Sequence, residues 1–512
     1  GKMLNDPSLS NIDFTKPLMA AVYYKSGSSG MAQKGMQNVS YAYFIPAKDK
    51  AAGKKVFDGK NIPGAVIRDV LVVSDKKTSL DRALKDIDLY KRNAAEKPQS
   101  DMRLLVKVDG IMSVFNSEIE MFVSMMQNPL FQQPDNSEQG QQKESLVALG
   151  KIFIYGILDL AQQSKDYQLD VSISEKALQI SSEHSAKPGS DLYDFFNGIP
   201  PEKNRCLALL PAKGDLTYAG YFDTRRLNIL IGIIIKNAIN RDPYLKDKIN
   251  MTLINQYRSF ISYYLGEFAL VYGFDNNLHF KMDLAASTNR SPESHLAMNE
   301  KFINWYMKAL KSLSPGAETF TEYTLQKNVR KSGGFDVHRY VMKMNYTGMG
   351  EEEKASMKKM FGEAFTSEYA VANGFVVVST NPESLDRMIE NTVTGGGGIG
   401  LQSMTTFGAG MDSYYDFDIA GFIRKIAMMS GSVEGKQKDP VMEKILDKLD
   451  KLPPEERNLV SSSKYSKGTS YNRYQVSVQM IRDMAKFFNE QKAASLKSNQ
   501  PDYKDQGENY KQ

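Results

Sequence analysis

A single cysteine, Cys206, stands in the whole 512-residue chain. One thiol excludes an intramolecular disulfide and any multi-cysteine metal site. Its setting in an apolar run, residues 206–210, fits a buried structural thiol rather than a nucleophile. Histidine is nearly as scarce. His184, His279, His295 and His338 are scattered, with no pair at the spacing of helical or hairpin metal ligands, so neither a metal nor a cofactor site is expected. Charge of one sign is missing as well: 65 basic and 60 acidic residues give a net charge of +5. Lys and Glu alternate, as in residues 351–359, which argues against the concentrated basic stripe of a nucleic-acid binder. The longest apolar run, residues 227–235, stops at Lys236, far short of the roughly 20 residues that cross a bilayer. It fits a buried helix, with a lipid-contacting segment as the sharper alternative. No export signal is visible, yet Gly1 followed by the polar stretch 2–11 suits a tether behind a removed signal or a lipid-anchor cysteine.

What is present is an ordinary globular composition of 41% hydrophobic, 10% aromatic and 24% charged residues. At this length the chain has room for two or three domains and a substantial core. Its most informative feature is a self-match at an offset of 305 residues. Residues 70–84 read VLVVSDKKTSLDRAL and residues 375–389 read FVVVSTNPESLDRMI. Val72, Val73, Ser74, Ser79, Leu80, Asp81 and Arg82 recur as Val377, Val378, Ser379, Ser384, Leu385, Asp386 and Arg387, far more than the roughly one identity expected by chance.

The block has a physical reading. Four apolar residues make a buried strand, and a polar turn then starts a helix whose inner face is Leu80, Ala83 and Leu84, or Leu385, Met388 and Ile389. Asp75 or Thr78 is expected to cap the first helix, and Asn381 with Pro382 at the first helical position the second. The repeated Ser-Leu-Asp-Arg reads as structure, with its acid near a helix start. The same offset sets residues 171–173 on 476–478. A nearby one sets Lys25-Ser26-Gly27 on Lys331-Ser332-Gly333, and residues 104–110 correspond to 415–421 as a strand turning at a glycine into an amphipathic stretch.

These matches predict an α+β fold of internally duplicated modules, mainly antiparallel sheet with helices packed on one face. The expected division is a tether at 1–11, a first module at 12–200, a central segment at 201–317, a second module at 318–490 and a polar tail at 491–512. The central segment reads as a partial third copy, strand-strand-helix twice over. It contains a hairpin of residues 268–274 and 278–284 across Asp275-Asn276-Asn277, and a helix at 298–313 with Phe302, Trp305, Tyr306, Ala309 and Leu310 on one face. Stretches 127–144 and 394–410 read as loops.

Chemistry is hard to find in this pattern. Ser-x-x-Lys occurs at Ser74/Lys77 and Ser461/Lys464, as a chain rich in both residues produces by chance. The glycines at 395–398 lack the ending of a phosphate loop, and the acids at 351–353 and 412–418 are not spaced as a calcium loop. No catalytic, cofactor-binding or metal residue is therefore assigned.

The blocks at 70–84 and 375–389, with the repeated strand, Asp or Gly, and helix units, resemble a family of uncharacterised exported bacterial proteins, many of them lipoproteins, that carry domains of unknown function. The resemblance covers most of the chain. It implies a location outside the cytoplasm and a duplicated α+β fold, and it supplies no active-site residues. The expected function is non-catalytic binding or scaffolding in the bacterial envelope, with an envelope protein, a glycan or an apolar ligand as partner, no nucleic acid, and membrane attachment through an N-terminal lipid. Two alternatives stand beside it. One is a carrier whose cavity is lined by the 227–235 helix and the Met-rich stretch 121–126. The other is a hydrolase with a site assembled from distant residues.

Overall fold

A computed structural model describes residues 11–13, 18–24, 39–51, 63–85, 87–88, 101–114, 116–126, 138–197, 204–221, 224–248, 251–275, 277–313, 320–347, 349–396, 411–422, 424–425, 447, 451, 453 and 457–482. The expected tether, the tail at 491–512, Lys25-Ser26-Gly27 and most of the 394–410 stretch lie outside these residues. The chain divides into two compact units. The first is Gly1–Met125, Lys165–Ile173 and Ile180–Ser182, and the second is Met126–Ser164, Ser174–Gln179 and Glu183–Gln512. These units cut the chain differently from the sequence modules.

In the first unit β1 (Met19–Tyr24), β2 (Val39–Pro46), β3 (Gly64–Ile67) and β4 (Val70–Ser74) form an antiparallel sheet of order β1-β2-β4-β3. Every residue of β4 is buried because apolar side chains alternate onto two cores. Val70 and Val72 meet Ala42, Phe44 and the inner face of α1 (Lys77–Lys85), while Leu71 and Val73 meet Ile12 and Ile45. Next come β5 (Met102–Lys107), α2 (Val108–Val114), α3 (Asn116–Met126) and β6 (Ser164–Ile173).

The second unit opens with α4 (Glu138–Gln163), so residues 138–144 are helical rather than the expected loop. Glu, Gln and Lys dominate that stretch, and they are good helix formers once a long apolar continuation supplies packing. After β7 (Ala177–Ala186), α5 (Asp191–Phe196) starts at the Ser190 cap, and α6 (Arg205–Leu209) at the Asn204 cap. The central segment then holds β8 (Leu216–Tyr221), α7 (Thr224–Ile231), a π-helical turn (Gly232–Lys236), α8 (Asn237–Arg241), α9 (Pro243–Lys248), α10 (Met251–Ile261), β9 (Tyr264–Phe274), β10 (Phe280–Thr288) and α11 (Pro292–Leu313).

This is more helix than strand-strand-helix repeated. The reason is local: Asn204 accepts the Leu207 amide at 3.1 Å and turns the 206–210 run into a helix. The β9–β10 turn runs to residue 279, with Phe274 opposite Phe280 and Leu278 buried at φ 68°.

The remaining elements are β11 (Phe320–Ser332), β12 (Phe335–Met344), α12 (Glu351–Phe361), β13 (Ala364–Ala372), β14 (Phe375–Ser379), α13 (Pro382–Thr394), β15 (Ser413–Asp418), β16 (Asn458–Ser466) and β17 (Thr469–Ser477). The sheet of this unit runs β11-β12-β13-β14-β10-β9-β8-β15-β16-β17, so the central segment supplies its middle. Cys206, Leu207, Val377, Leu385, Met388 and Ile389 join a core under α6 and α13. On the other face, Tyr369, Val371 and Val376 pack with Tyr264, Leu325 and Tyr340, and Tyr306 of α11 meets Tyr323 edge-on. The first four residues of β14 are apolar on both faces, as burial on both faces favours, while β13 carries Ser367 and Glu368 buried among its apolar residues.

The two matched blocks take the same form residue for residue. β4 and β14 span 70–74 and 375–379, and their helices start at 77 and 382. Each strand is reached through a two-residue hairpin turn whose first residue has positive φ, Arg68 at 57° and Asn373 at 50°. Ser74 and Ser379 each accept the amide two residues ahead, from Lys76 at 3.4 Å and Asn381 at 2.9 Å. Asn381 caps its helix as expected, through Glu383 N–H at 2.9 Å. Asp75 is instead taken by the Tyr41 amide at 2.9 Å.

The wider surroundings differ. β4 lies between β3 and β2, whereas the strand next to β13 is β12, which gives the order β11-β12-β13-β14. Residues 171–173 end a strand paired with β5, while Val478 begins a helix after a strand paired with β16.

Candidate interaction surface

Strands β5 and β6 of the first unit form an antiparallel ribbon whose two faces differ in kind. Directly opposite residues share a face in such a pair. One face therefore carries Arg103, Leu105 and Lys107 against Asp170, Gln168 and Asp166. Arg103 grips Asp170 at 2.6 Å and Lys107 reaches Asp166 at 2.8 Å. Gln168 donates to the second Asp170 oxygen at 2.6 Å.

The other face sets Met102 against Val171, Leu104 against Leu169 and Val106 against Tyr167, with Ile173 continuing the row. Apart from Lys165 at the start of β6 the row is uncharged, and Met102 is 60%, Leu104 51% and Ile173 62% exposed. Following β5, Ile111 of α2 and Met121, Phe122 and Met125 of α3 are exposed too, while Val123 is the buried residue of that last helix turn. Scattered exposed apolar side chains are normal, but a facing row of them marks a contact surface. The alternation of Leu169, Val171 and Ile173 was legible in the sequence. That Met102, Leu104 and Ile173 remain exposed was not.

Cys206 is buried, donates to the Glu267 carbonyl at 3.4 Å, and burial first, then Glu267, pushes its thiol far above the usual range. His279 is exposed and lies 3.5 Å from Asp275. His338 accepts the Asn328 amide at 3.1 Å and packs at a tilt against the Tyr369 ring, 4.9 Å between ring centres. His295 is fully buried, with Nε2 2.8 Å from the Thr288 hydroxyl, and burial followed by Arg290 lowers it to about 4. His184 comes closest to a catalytic geometry, its Nε2 2.6 Å from Ser164 Oγ. The buried Ser164 hydroxyl also lies 2.6 Å from the Leu160 carbonyl, which can only accept, so that carbonyl competes with His184 for the serine proton.

Ser74 donates to the Tyr41 carbonyl at 2.7 Å beside an exposed Lys77. Ser461 and Lys464 sit three apart on one strand and so point to opposite faces. Gly395 closes α13 at φ 82°, a helix-ending conformation that glycine adopts freely. The acids at 412–418 are held singly. Asp412 pairs with Arg226, Asp416 with Lys213 at 2.7 Å, and Asp418 accepts the Gly421 amide at 2.8 Å. Asp386 of the repeated tetrapeptide binds Arg330 at 2.6 Å, and Arg330 with Arg339 clasps the buried Glu368. The 227–235 run packs inward through Leu227 and Ile233, the latter against Leu192 and Phe196.

Among the described residues no group of three or more His, Cys, Asp or Glu is placed to hold a metal ion, and no helix is long and apolar enough to cross a membrane. No protein-family model, curated protein or solved structure matches the chain significantly.

Proposed function

We propose that the protein is a non-catalytic binding protein of the bacterial envelope, outside the cytoplasm, and that it recognises an envelope protein through the apolar face of the β5–β6 ribbon. The observation that carries this reading is the uncharged row in which Met102, Leu104 and Ile173 are exposed beside half-buried Leu169 and Val171, on a ribbon whose reverse face carries the Arg103–Asp170 and Lys107–Asp166 ion pairs. Apolar area of this kind contributes roughly 25 cal/mol per Å² when covered, so a facing row supplies a usable share of a binding free energy. The Ser164–His184 contact gives a hydrolase reading less support, because the Leu160 carbonyl competes for the serine proton.

The test is capture from a solubilised envelope fraction by immobilised full chain. Wild type is expected to retain defined proteins, and the double variant Leu169→Asp, Ile173→Asp to release them while keeping its circular-dichroism melting curve. Retention of the same proteins by the variant, or recovery of the native protein in the cytosolic fraction, sinks the reading.

A further inference from the structure

Strand β5 ends its sheet: it pairs with β6 and with no other strand among the described residues. Such an edge is a template for another strand, and proteins blunt it with bulges and outward charge. The terminal strand β11 of the second unit is blunted in this way. Its register slips between Gln326 and Arg330, and Asn328 adopts φ 49°. β5 is not. It holds register with β6 over all its residues.

The second unit also contains a strand in the same local frame. β15 spans 413–418 as β5 spans 102–107, each runs straight into a helix, and each pairs antiparallel with a strand later in the chain. The other edge of β15 is occupied by β8, antiparallel, with Ser413 opposite Gly220 and Phe417 opposite Leu216.

We infer that the free edge of β5 pairs antiparallel with β5 of a second copy, forming a two-fold dimer through one continuous ribbon. The inference rests on the same ribbon as the proposed function but not on that reading. Self-complementarity selects the occupant. A two-fold axis normal to the ribbon lets a residue oppose only residues of its own face. Centring on Arg103 sets that guanidinium against its copy, and centring on Leu105 sets Lys107 against Arg103. Like charges directly opposite are destabilising. Centring on Leu104 overlaps residues 101–107 in full. It places Leu104 on Leu104, Met102 on Val106, Arg103 on Leu105, and Lys107 on Asp101, an opposite-charge pair formed twice. Asp101 is exposed and already tied to the ribbon by the Ile173 amide at 2.5 Å, so its carboxylate is held at that end of the strand. The dimer doubles the apolar row on one face.

The test uses the full chain. Sedimentation velocity over a concentration series is expected to show a monomer–dimer equilibrium for wild type, and a monomer throughout for Leu104→Lys with an unchanged melting curve. Facing Cα atoms across an antiparallel pair lie about 4.5–5.5 Å apart, within disulfide reach. The Leu104→Cys variant is therefore expected to cross-link to itself under mild oxidation. Met102→Cys is not, since its own counterpart lies about four residues, or roughly 13 Å, along the strand. The native Cys206 is buried and takes no part. A wild type that stays monomeric at every concentration, or a Met102→Cys variant that cross-links as fast as Leu104→Cys, overturns the inference. Envelope capture by a monomeric protein would leave the proposed function standing without this dimer.

Discussion

Removing Arg226 should cost the second unit about 3–5 kcal/mol, and removing its partner with it should return most of that loss. Arg226 and Asp412 meet at 2.6 Å with each side chain 1% exposed. The guanidinium also donates to the Tyr221 carbonyl at 3.0 Å and lies 5.0 Å from the Tyr465 ring centre. Unit charges about 4 Å apart attract by about 4 kcal/mol at an effective dielectric constant of 20. Taking both charges out of water consumes most of this, so the pair is near neutral overall, and the large effect comes from leaving one charge buried alone.

In Arg226→Met the Asp412 carboxylate keeps the Tyr465 amide at 2.6 Å but loses its counter-charge. Burial already holds Asp412 above the usual carboxylate range, and without Arg226 it rises further. A carboxyl raised in the folded state opposes folding when ionised and ceases to do so as pH falls through its folded value. The deficit of Arg226→Met should therefore shrink on acidification. The assay is urea unfolding followed by Trp305, the one tryptophan, which belongs to the second unit. The double variant Arg226→Met, Asp412→Leu should recover to within about 1–2 kcal/mol of wild type. A single-variant loss under about 1 kcal/mol, or a double variant as unstable as the sum of the singles, refutes the reasoning.

Three further outcomes follow from the same geometry. His295, held to about 4 against an unfolded value of 6.5, binds fewer protons folded than unfolded. Stability is then fully present above pH 6.5 and is lost by up to about 3 kcal/mol as pH falls toward 4, and His295→Gln should flatten that limb in pH-dependent urea melts. Burial pushes Tyr264 and Tyr369 up to about 12, so ultraviolet absorbance should show them ionising only as alkali unfolds the protein, with stability draining as pH rises from 10. Glu368→Gln leaves Arg330 and Arg339 without their shared carboxylate and should lower stability by about 2–3 kcal/mol. Asp386→Asn, at a half-exposed partner, should cost under about 1 kcal/mol by chemical denaturation.

How far the sequence could be read depended on whether a signal was local. The strand and helix of 70–84 and 375–389 were legible because period, turn and cap lie within fifteen residues, and Asn381-Pro382 marks its helix start by itself. The hairpin of 268–284 was legible in kind but not in extent. Leu278 looks like strand by composition and is instead a buried turn residue, a choice made by packing. The 206–210 run was ambiguous between strand and helix, as short apolar runs are, and the deciding residue was Asn204 just outside it. Partners across hundreds of residues had no local mark. Nothing in Asp412, Asp416 or Asp418 says that one finds Arg226, another Lys213 and the third a helix amide.

The recurring block also shows why a shared segment need not bring its surroundings with it. What is repeated is a closed local unit: a two-residue turn, a strand buried on both sides, a serine that holds the next turn by its own hydroxyl, and a helix packed back on the strand. In both units the serine accepts the amide that opens the next turn, a local bond that is the same whichever strand joins the outer edge. In the first unit that strand is β2, with Ala42 opposite Ser74, and in the second it is β10, with Asp283 opposite Ser379. The joining strand changes the serine's second partner, the Tyr41 carbonyl in one case and the Asp283 carboxyl in the other, and leaves the turn bond intact. Replacing Ser379 with Ala should therefore raise the free-energy cost at one half-buried carboxylate while α13 keeps its start. Replacing Asn381 should do the reverse, fraying the first helical turn and leaving Asp283 as it was. Hydrogen exchange at Glu383 and Leu385 separates the two: faster exchange in the Asn381 variant only is the expected result, and equal acceleration in both would show that serine and cap act as one device.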